Sequence, residues 1–267
     1  MNLKGLRVLN TRPLPQGLDL NASLLKAQAR PIHLPALTIE PLTEDWQAHL
    51  PALDSIDQSI FISANAVNFF FKKIKTQHWP KTMKTIAVGK ATATVLSNHK
   101  IDVDNLPDIG DSEHVLQLDS LKHVQGQTIL LVKGEDGLST IATTLVARGA
   151  HVISLSCYRR VLPKVDKKLI QKLWQETPVD IILFTSQQAM ENTRRLFGKE
   201  AKEWLANTPC LVISPRLAEA AYLIGMKNII VGSYDTILET LKSYSEECAN
   251  GKVSFWRPNQ GSGHDHQ

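Results

Sequence analysis

Short apolar, β-branched runs recur along the chain, and most of them lack the polar alternation of a strand with one solvent-facing side. The runs are RVLNT (7–11), PIHLPAL (31–37), SIFIS (59–63), TIAVG (85–89), TILLVK (128–133), HVISLSCY (151–158), DIILFTS (180–186), CLVIS (210–214) and NIIVG (228–232). Such runs are typical of strands buried on both faces of a parallel sheet. Segments of helix length separate them, so the pattern predicts an α/β protein with parallel sheets.

Three elements recur in the same order at nearly one spacing. The pairs are Ser63 and Ser186, Val88 and Ile213, and Leu9 and Leu131, at offsets of 123, 125 and 122 residues. Chance matching of strand–helix patterns explains the alternation, but it explains the shared spacing poorly. We therefore expect an internal duplication that gives two similar α/β domains.

Two extended, proline-closed stretches occupy matching places in the two copies. They are LPALTIEPL (34–42) and SCYRRVLP (156–163), and both suit linker strands that run between domains. Periodicity is lost near the end of the chain, so we expect residues 247–267 to form a mobile tail. His264 and His266 lie in this segment, where two histidines rarely make a metal site.

Composition excludes several classes of protein. Of 267 residues, 43% are hydrophobic and 21% charged, and no apolar run approaches the ~20 residues that span a bilayer. The N-terminal sequence lacks the features of a signal peptide, so we expect a cytoplasmic protein without membrane contact. The net charge of +4 comes from scattered basic residues, which suits a small anionic ligand better than a nucleic acid.

The cysteines and the common catalytic motifs narrow the chemistry further. Cys157, Cys210 and Cys248 form no CxxC pair, and the first two lie in apolar runs, so we expect buried thiols and neither a disulfide framework nor a zinc site. The sequence contains no GxGxxG, Walker A, GxSxG or HExxH motif. A catalyst of this kind would work mainly by positioning charges and substrate, with no metal.

Small polar residues follow six of the predicted strands. These corners begin at Thr11-Arg12-Pro13, Ser63-Ala64-Asn65, Gly89-Lys90-Ala91-Thr92, Lys133-Gly134-Glu135, Thr185-Ser186-Gln187 and Ser214-Pro215-Arg216. A helix that starts there directs free N–H groups and the positive end of its dipole towards the ligand-binding edge of the sheet. An ordinary N-cap is the favoured interpretation of any one corner. All six together predict a shared anionic ligand in a cleft between the domains.

Taken in order, the motifs resemble those of the uroporphyrinogen-III synthase family of the tetrapyrrole pathway. The matching pieces are VLNTRP, FISANAV, IAVGKATATVL, ILLVKGEDGLSTIATTLVARGAHV, CYRRV, DIILFTSQQAM, LVISPRLAEAA and NIIVGSYDTILETL, which cover roughly residues 3 to 245. The resemblance implies a cofactor-independent carbon–oxygen lyase that closes the linear hydroxymethylbilane into uroporphyrinogen III. The last ring is inverted, by way of an azafulvene cation and a spiro intermediate.

The resemblance also implies a particular domain layout. Two doubly wound parallel-sheet domains would be joined by a two-stranded linker, one formed by residues 1–36 plus 163–246 and the other by residues 38–160. A monomer is expected, with transient contact with the preceding pathway enzyme and no nucleic-acid partner.

Site residues follow from the matched motifs. Tyr158 would donate a hydrogen bond or proton to the departing hydroxyl, although a packed strand tyrosine is an equal alternative. The residues expected to contact substrate are Arg12, Ser63, Ala64, Thr92, Lys133, Gly134, Ser186, Gln187, Ser214 and Arg216. Many relatives have RGxGGR where this chain has KGEDGL (133–138), so Leu138 replaces an arginine, and Glu135 and Asp136 add negative charge. This departure weakens the expectation of substrate contact at that corner.

Two other functional classes remain open at this point. The changed KGEDGL corner would suit a non-catalytic two-domain protein that binds an anionic tetrapyrrole or another polyanion. A flavin or nicotinamide enzyme on a similar sheet is the less favoured choice, because the dinucleotide motif is missing.

Overall fold

The computed structural model describes residues 2–42, 45–136 and 139–258, and the chain divides into two compact units. Unit 1 contains the residues up to Thr38 and those from Val161 onward, and unit 2 contains Ile39–Arg160. From the family resemblance, we expect these crossings at residues 36–38 and 160–163.

The helices and strands alternate in the order that the sequence predicts. They are β1 (Arg7–Asn10), α1 (Gln16–Lys26), β2 (Arg30–His33), β3 (Thr38–Pro41), β4 (Gln58–Phe61), α2 (Ala64–Phe71), β5 (Lys84–Ala87), α3 (Lys90–Asn98), α4 (Ser112–Gln117), α5 (Asp119–Lys122), β6 (Thr128–Gly134), α6 (Thr140–Ala147), β7 (His151–Val161), α7 (Lys167–Gln175), β8 (Ile181–Phe184), α8 (Gln187–Phe197), α9 (Lys202–Asn207), β9 (Cys210–Val212), α10 (Pro215–Leu223), β10 (Ile229–Val231) and α11 (Ile237–Ala249). Four short 3₁₀ turns lie between them, at Trp46–His49, Leu53–Ser55, Thr76–His78 and Tyr234–Thr236. Within the described residues, no helix is long and apolar enough to cross a membrane.

Unit 1 is built on a parallel five-stranded sheet in the order β10-β9-β8-β1-β2. Alternate residues of β8 point to opposite faces. Ile182 and Phe184 enter the hydrophobic core on one face, and Ile181 and Leu183 enter the core on the other. All four are buried, which confirms the prediction of strands covered on both sides.

Unit 2 has its own five-stranded sheet in the order β3-β7-β6-β4-β5, in which β4 to β7 pair in parallel. Ile60 packs on one face and Phe61 on the other. Phe61 belongs to an aromatic cluster with Phe70, Phe71 and Trp79, whose ring centroids lie 5.1–5.8 Å apart. Strand β3 lies beside β7 at the edge, where the N–H of Leu42 donates to the carbonyl oxygen of Cys157.

The strand orders of the two sheets agree with the duplication. Under the sequence offsets, β1 corresponds to β6, β8 to β4 and β9 to β5. The order β2-β1-β8-β9 in unit 1 then matches β7-β6-β4-β5 in unit 2. The place of β10 next to β9 is taken in unit 2 by a single parallel bridge between Asn105 and Ile86 of β5. The second copy therefore keeps the strand order and reduces its last strand to one bridge.

The expected mobile tail is wrong for residues 247–258. Helix α11 continues to Ala249, and the chain then packs along unit 1. The N–H of Trp256 donates to the carbonyl oxygen of Ile229 at 2.7 Å, and its ring contacts the Tyr222 ring and the adjacent core. One anchoring tryptophan leaves no periodic pattern, which explains the error. Residues 259–267, with His264 and His266, lie outside the described residues.

The two cysteines in apolar runs are buried, as the sequence predicts. Cys157 lies in β7 and Cys210 begins β9. Burial raises the pKa of each of these thiols to about 12, so both are protonated at neutral pH. Cys248, in the last turn of α11, is exposed. Neither Cys157 nor Cys210 therefore has the depressed pKa that marks a nucleophilic thiol.

Candidate active site

Four of the six corners form the helix starts that the sequence predicts. Ser63, Ser186 and Ser214 have extended backbones, and each Oγ accepts the N–H three residues later, at 3.2, 3.2 and 3.3 Å. Gly89 has the same extended backbone before α3 but no capping side chain. Because the first N–H groups of a helix have no intrahelical partner, each of these corners directs donors past the end of its strand.

The other two corners differ from the prediction. The Thr11 side chain is buried and donates to the carbonyl oxygen of Leu183 at 2.7 Å, and α1 begins only at Gln16, without a side-chain cap. The corner after β6 leads to α6, which begins at Thr140; Gly137 and Leu138, between them, lie outside the described residues. The expected helix starts at these two places are therefore wrong.

Several predicted contact residues lie on the first turns of helices. Ala64 and Gln187 are the first residues of α2 and α8, and the Gln187 side chain donates to Oε1 of Glu191 at 3.0 Å. Arg216 is the exposed second residue of α10. Thr92, by contrast, is only 4% exposed, because the third residue of α3 faces the sheet. Its side chain is packed rather than presented to a ligand.

Arg12 has a partner that the sequence analysis missed. Its Nη2 donates to the hydroxyl of Tyr234 at 2.6 Å, and the guanidinium carbon lies 4.8 Å from the centre of that ring. Both residues line a cavity of about 280 Å³ in unit 1. Tyr234 comes three residues after β10, so the strand-end rule that selected the six corners would also have selected this one.

Tyr158 lies in unit 2, next to two other predicted site residues, Ser63 and Gly134. It is 2% exposed, its ring stacks on Phe69, and its hydroxyl lies 3.0 Å from Oγ of Ser63. Gly134 makes room for the ring, because a Cβ there would lie 2.7 Å from Cζ of Tyr158. The packing role and the proton-donor role expected for this tyrosine are therefore compatible, since its ring is packed while its hydroxyl reaches the start of α2.

A cavity of about 200 Å³ opens beside this hydroxyl. The residues that line it are Ile62, Ser63, Gly134, Glu135, Asp136, Tyr158 and Arg160. Arg160 was missed by the sequence analysis, although a signal was available. It is two residues after Tyr158 in β7, and residues two apart on a strand share a face. Next to this cavity, Nζ of Lys133 lies 3.5 Å from the carbonyl oxygen of Glu135.

The other end of the unit 1 sheet has a larger cavity, of about 650 Å³. It lies at the starts of the strands, around the ion pair of Arg7 and Asp180, and away from the corners. Among the described residues, no group of three or more His, Cys, Asp or Glu side chains could hold a metal ion.

A family model described as uroporphyrinogen-III synthase HemD matches residues 19–237. The chain belongs to the uroporphyrinogen-III synthase family. It is 31% identical over 246 residues to uroporphyrinogen-III synthase of Escherichia coli, covering 88% of this chain and 99% of the relative. The Salmonella typhimurium uroporphyrinogen-III synthase is 28% identical, with 88% and 99% covered.

Solved structures of this family share the fold. A mutant uroporphyrinogen III synthase from Thermus thermophilus superposes with a TM-score of 0.62 at 19% identity, covering 92% of this chain and 99% of the other. The uroporphyrinogen-III synthetase from Helicobacter pylori gives a TM-score of 0.58 at 17% identity, with 89% and 99% covered. The α/β architecture with two largely parallel sheets is thus that of the uroporphyrinogen-III synthase family.

Proposed function

We infer that this chain closes hydroxymethylbilane into uroporphyrinogen III, with inversion of ring D and loss of water. The observation that carries the inference is the match to the Escherichia coli synthase over 99% of that relative's length. The non-catalytic binding alternative is not favoured, because the family model and the curated relatives above are all described as synthases.

The reaction is a hydro-lyase step that needs no redox cofactor. Overall, one molecule of water leaves and one carbon–carbon bond closes the macrocycle, without net oxidation or reduction. The protein must therefore position the two reacting ends and stabilise the charge that develops between them, which side chains and helix starts can do.

Carboxylate binding is the role we assign to the corners. Every ring of the substrate carries an acetate and a propionate, so the substrate is a polyanion. The first-turn amides after Ser63, Ser186 and Ser214 provide donors, and Arg12 and Arg216 provide charge in unit 1. The tight hydrogen bond from Arg12 to Tyr234 holds that guanidinium in place before substrate arrives.

Proton donation to the departing hydroxyl is the role we assign to Tyr158. Its hydroxyl is held by Ser63 at the wall of the cavity, where it can reach a substrate oxygen. We further propose that the protein acts as a monomer in the cytoplasm and receives substrate through transient contact with the preceding enzyme. Freshly made hydroxymethylbilane tests the proposal, since the enzyme must divert the spontaneous type I product to type III.

A further inference from the structure

The cavity beside Tyr158 has room for one ring of the substrate. Its volume is about 200 Å³, and an engineered cavity of about 150 Å³ in another protein holds benzene. A single pyrrole ring therefore fits, while a chain of four substituted rings does not. All the lining residues belong to unit 2, so the cavity is complete within that unit.

The cavity carries charges of both signs. Arg160 lines it, and within the described part of the chain this side chain makes no hydrogen bond or ion pair. Glu135 and Asp136 line the same space, and the N–H of Glu135 donates to the carbonyl oxygen of Tyr158 at 2.8 Å. The acidic corner is thus tied by its backbone to the strand that carries both Tyr158 and Arg160.

Two carboxylates are an unexpected lining for a site that takes a polyanion. They repel the resting substrate, so they would weaken its binding. If a ring of the substrate becomes cationic during the reaction, the two carboxylates attract it instead of repelling it. Groups that stabilise the transition state more than the ground state accelerate a step, so the two carboxylates would raise kcat.

We propose that this cavity is the subsite of the ring that loses its hydroxyl, with Arg160 binding a carboxylate of that ring and Glu135 and Asp136 stabilising the positive charge that forms on it. The proposal rests on the function inferred above. It assigns roles to Glu135 and Asp136 in the turn after β6 and to Arg160 in β7.

The chemical step balances with these groups. The bond between the methylene carbon and the hydroxyl oxygen breaks, and its electron pair leaves with the oxygen. That oxygen takes the proton of Tyr158 and departs as water. The lone pair of the pyrrole nitrogen spreads onto the methylene carbon and leaves an azafulvene cation facing the two carboxylates. When the ring later closes, the attacked pyrrole carbon releases a proton, which restores the phenol.

Steady-state kinetics with hydroxymethylbilane show whether Glu135 and Asp136 stabilise the cation or only line the cavity without affecting the reaction. For Glu135→Gln, Asp136→Asn and their combination, the proposal predicts that KM falls, because repulsion of the anionic substrate is removed. It also predicts that kcat falls, by about tenfold in the double variant. This loss is smaller than that caused by removing an enclosed oxyanion-hole donor, because both carboxylate side chains are exposed. An unchanged or higher kcat overturns the assignment of the acids.

A matched control removes one negative charge elsewhere in unit 2. Asp102 is exposed and lies at the start of the segment that bridges to β5, so Asp102→Asn makes the same change in net charge away from the cavity. Its kcat and KM should equal those of the wild type. A control with the same pattern as Asp136→Asn would show that net charge alone is responsible.

Arg160 has its own signature. Arg160→Gln should raise KM about tenfold and leave kcat nearly unchanged. The reason is that the variant loses a charge-assisted contact that is equally strong in the ground state and the transition state. Arg160→Lys should recover part of the loss, since it keeps the charge without the fork. An unchanged KM in Arg160→Gln contradicts the anchor. If the wild type itself yields only type I product, the inferred function fails and this subsite with it. If the wild type yields type III and the variants behave as the wild type, only the subsite assignment fails.

Discussion

The hydroxyl of Tyr158 lies 3.0 Å from Oγ of Ser63, and the same Oγ accepts the N–H of Ala66 at the start of α2. One serine therefore links a helix start to the tyrosine on β7, which β6 separates from β4 in the same sheet. Gly134 completes the arrangement by leaving space for the ring. This contact fixes where the phenol of Tyr158 stands relative to the start of α2.

Replacing Ser63 by alanine should reduce both stability and turnover, each only partly. The N-cap bond is lost, which lowers the free energy of unfolding by about 1 kcal/mol. Turnover should fall by about threefold to tenfold, since one hydrogen bond to the tyrosine is removed while the backbone amides of α2 remain. Ser63→Thr keeps the hydroxyl and should stay close to the wild type. Complete loss of activity in a folded Ser63→Ala protein would mean that the hydroxyl, rather than the amides, does the binding.

Tyr158→Phe removes the phenol hydroxyl, which is the proton donor that we propose, and keeps the ring. The ring contacts with Phe69 and Gly134 remain, so thermal unfolding should change little. We expect kcat to fall by about tenfold to a hundredfold, at or below the lower end of the usual range for general acid catalysis, because other donors can protonate a hydroxyl leaving group. Full activity in this variant would reduce Tyr158 to a packing role.

Gly134→Ala should displace the tyrosine. The new Cβ would lie 2.7 Å from Cζ of Tyr158, so either the ring or strand β6 must shift, at a cost of about 1–3 kcal/mol. Activity should fall together with stability. Adding Tyr158→Val removes the clash, so the unfolding free energies of the two changes should not add. Additive effects in denaturant titrations would show that the two residues do not press on each other.

Much of this arrangement is visible in the sequence, because short-range rules produce it. Apolar runs predict strands, and a serine after a strand predicts a cap, as found at Ser63, Ser186 and Ser214. The packed side chain of Thr92 depends on how helix α3 is rotated on its sheet, which the strand-end rule does not specify.

The misses share a different cause. Arg160 and Tyr234 each had a local signal, the face shared with Tyr158 and the end of β10, but the sequence does not show what either side chain lies against. The cavity beside Arg160 and the contact of Tyr234 with Arg12 form only when the fold brings distant segments together. The contact of Trp256 with unit 1 likewise depends on one side chain finding a gap in a distant surface. Long-range contacts of this kind can be seen in the folded structure but cannot be predicted from local sequence patterns.

The ion pair of Arg7 and Asp180 should make stability depend on pH. Burial acts to raise the pKa of Asp180, but the hydrogen bonds from the Arg7 side chain and backbone outweigh it and leave this pKa below its usual value. The stabilisation is therefore fully present above about pH 4, the unfolded value, and is lost as the pH falls through the native pKa.

Asp180→Asn should lower the free energy of unfolding at pH 7 by about 1–2 kcal/mol, a value reduced for the 38% and 28% exposure of the two side chains. The difference from the wild type should shrink as the pH drops below about 4. Asp119→Asn, which removes the partner of Lys122 at a side chain 95% exposed, should change stability little. A difference for Asp180→Asn that stays constant down to pH 2 would contradict the electrostatic origin.

The isomer composition of the product tests the central claim most directly. Hydroxymethylbilane, generated in place and closed in the presence of the purified protein, is oxidised to the porphyrins, and the type I and type III isomers are separated by chromatography. The account predicts predominantly type III product, in proportion to active protein, and a shift back towards type I with Tyr158→Phe. Unchanged type I product at every protein concentration would contradict it.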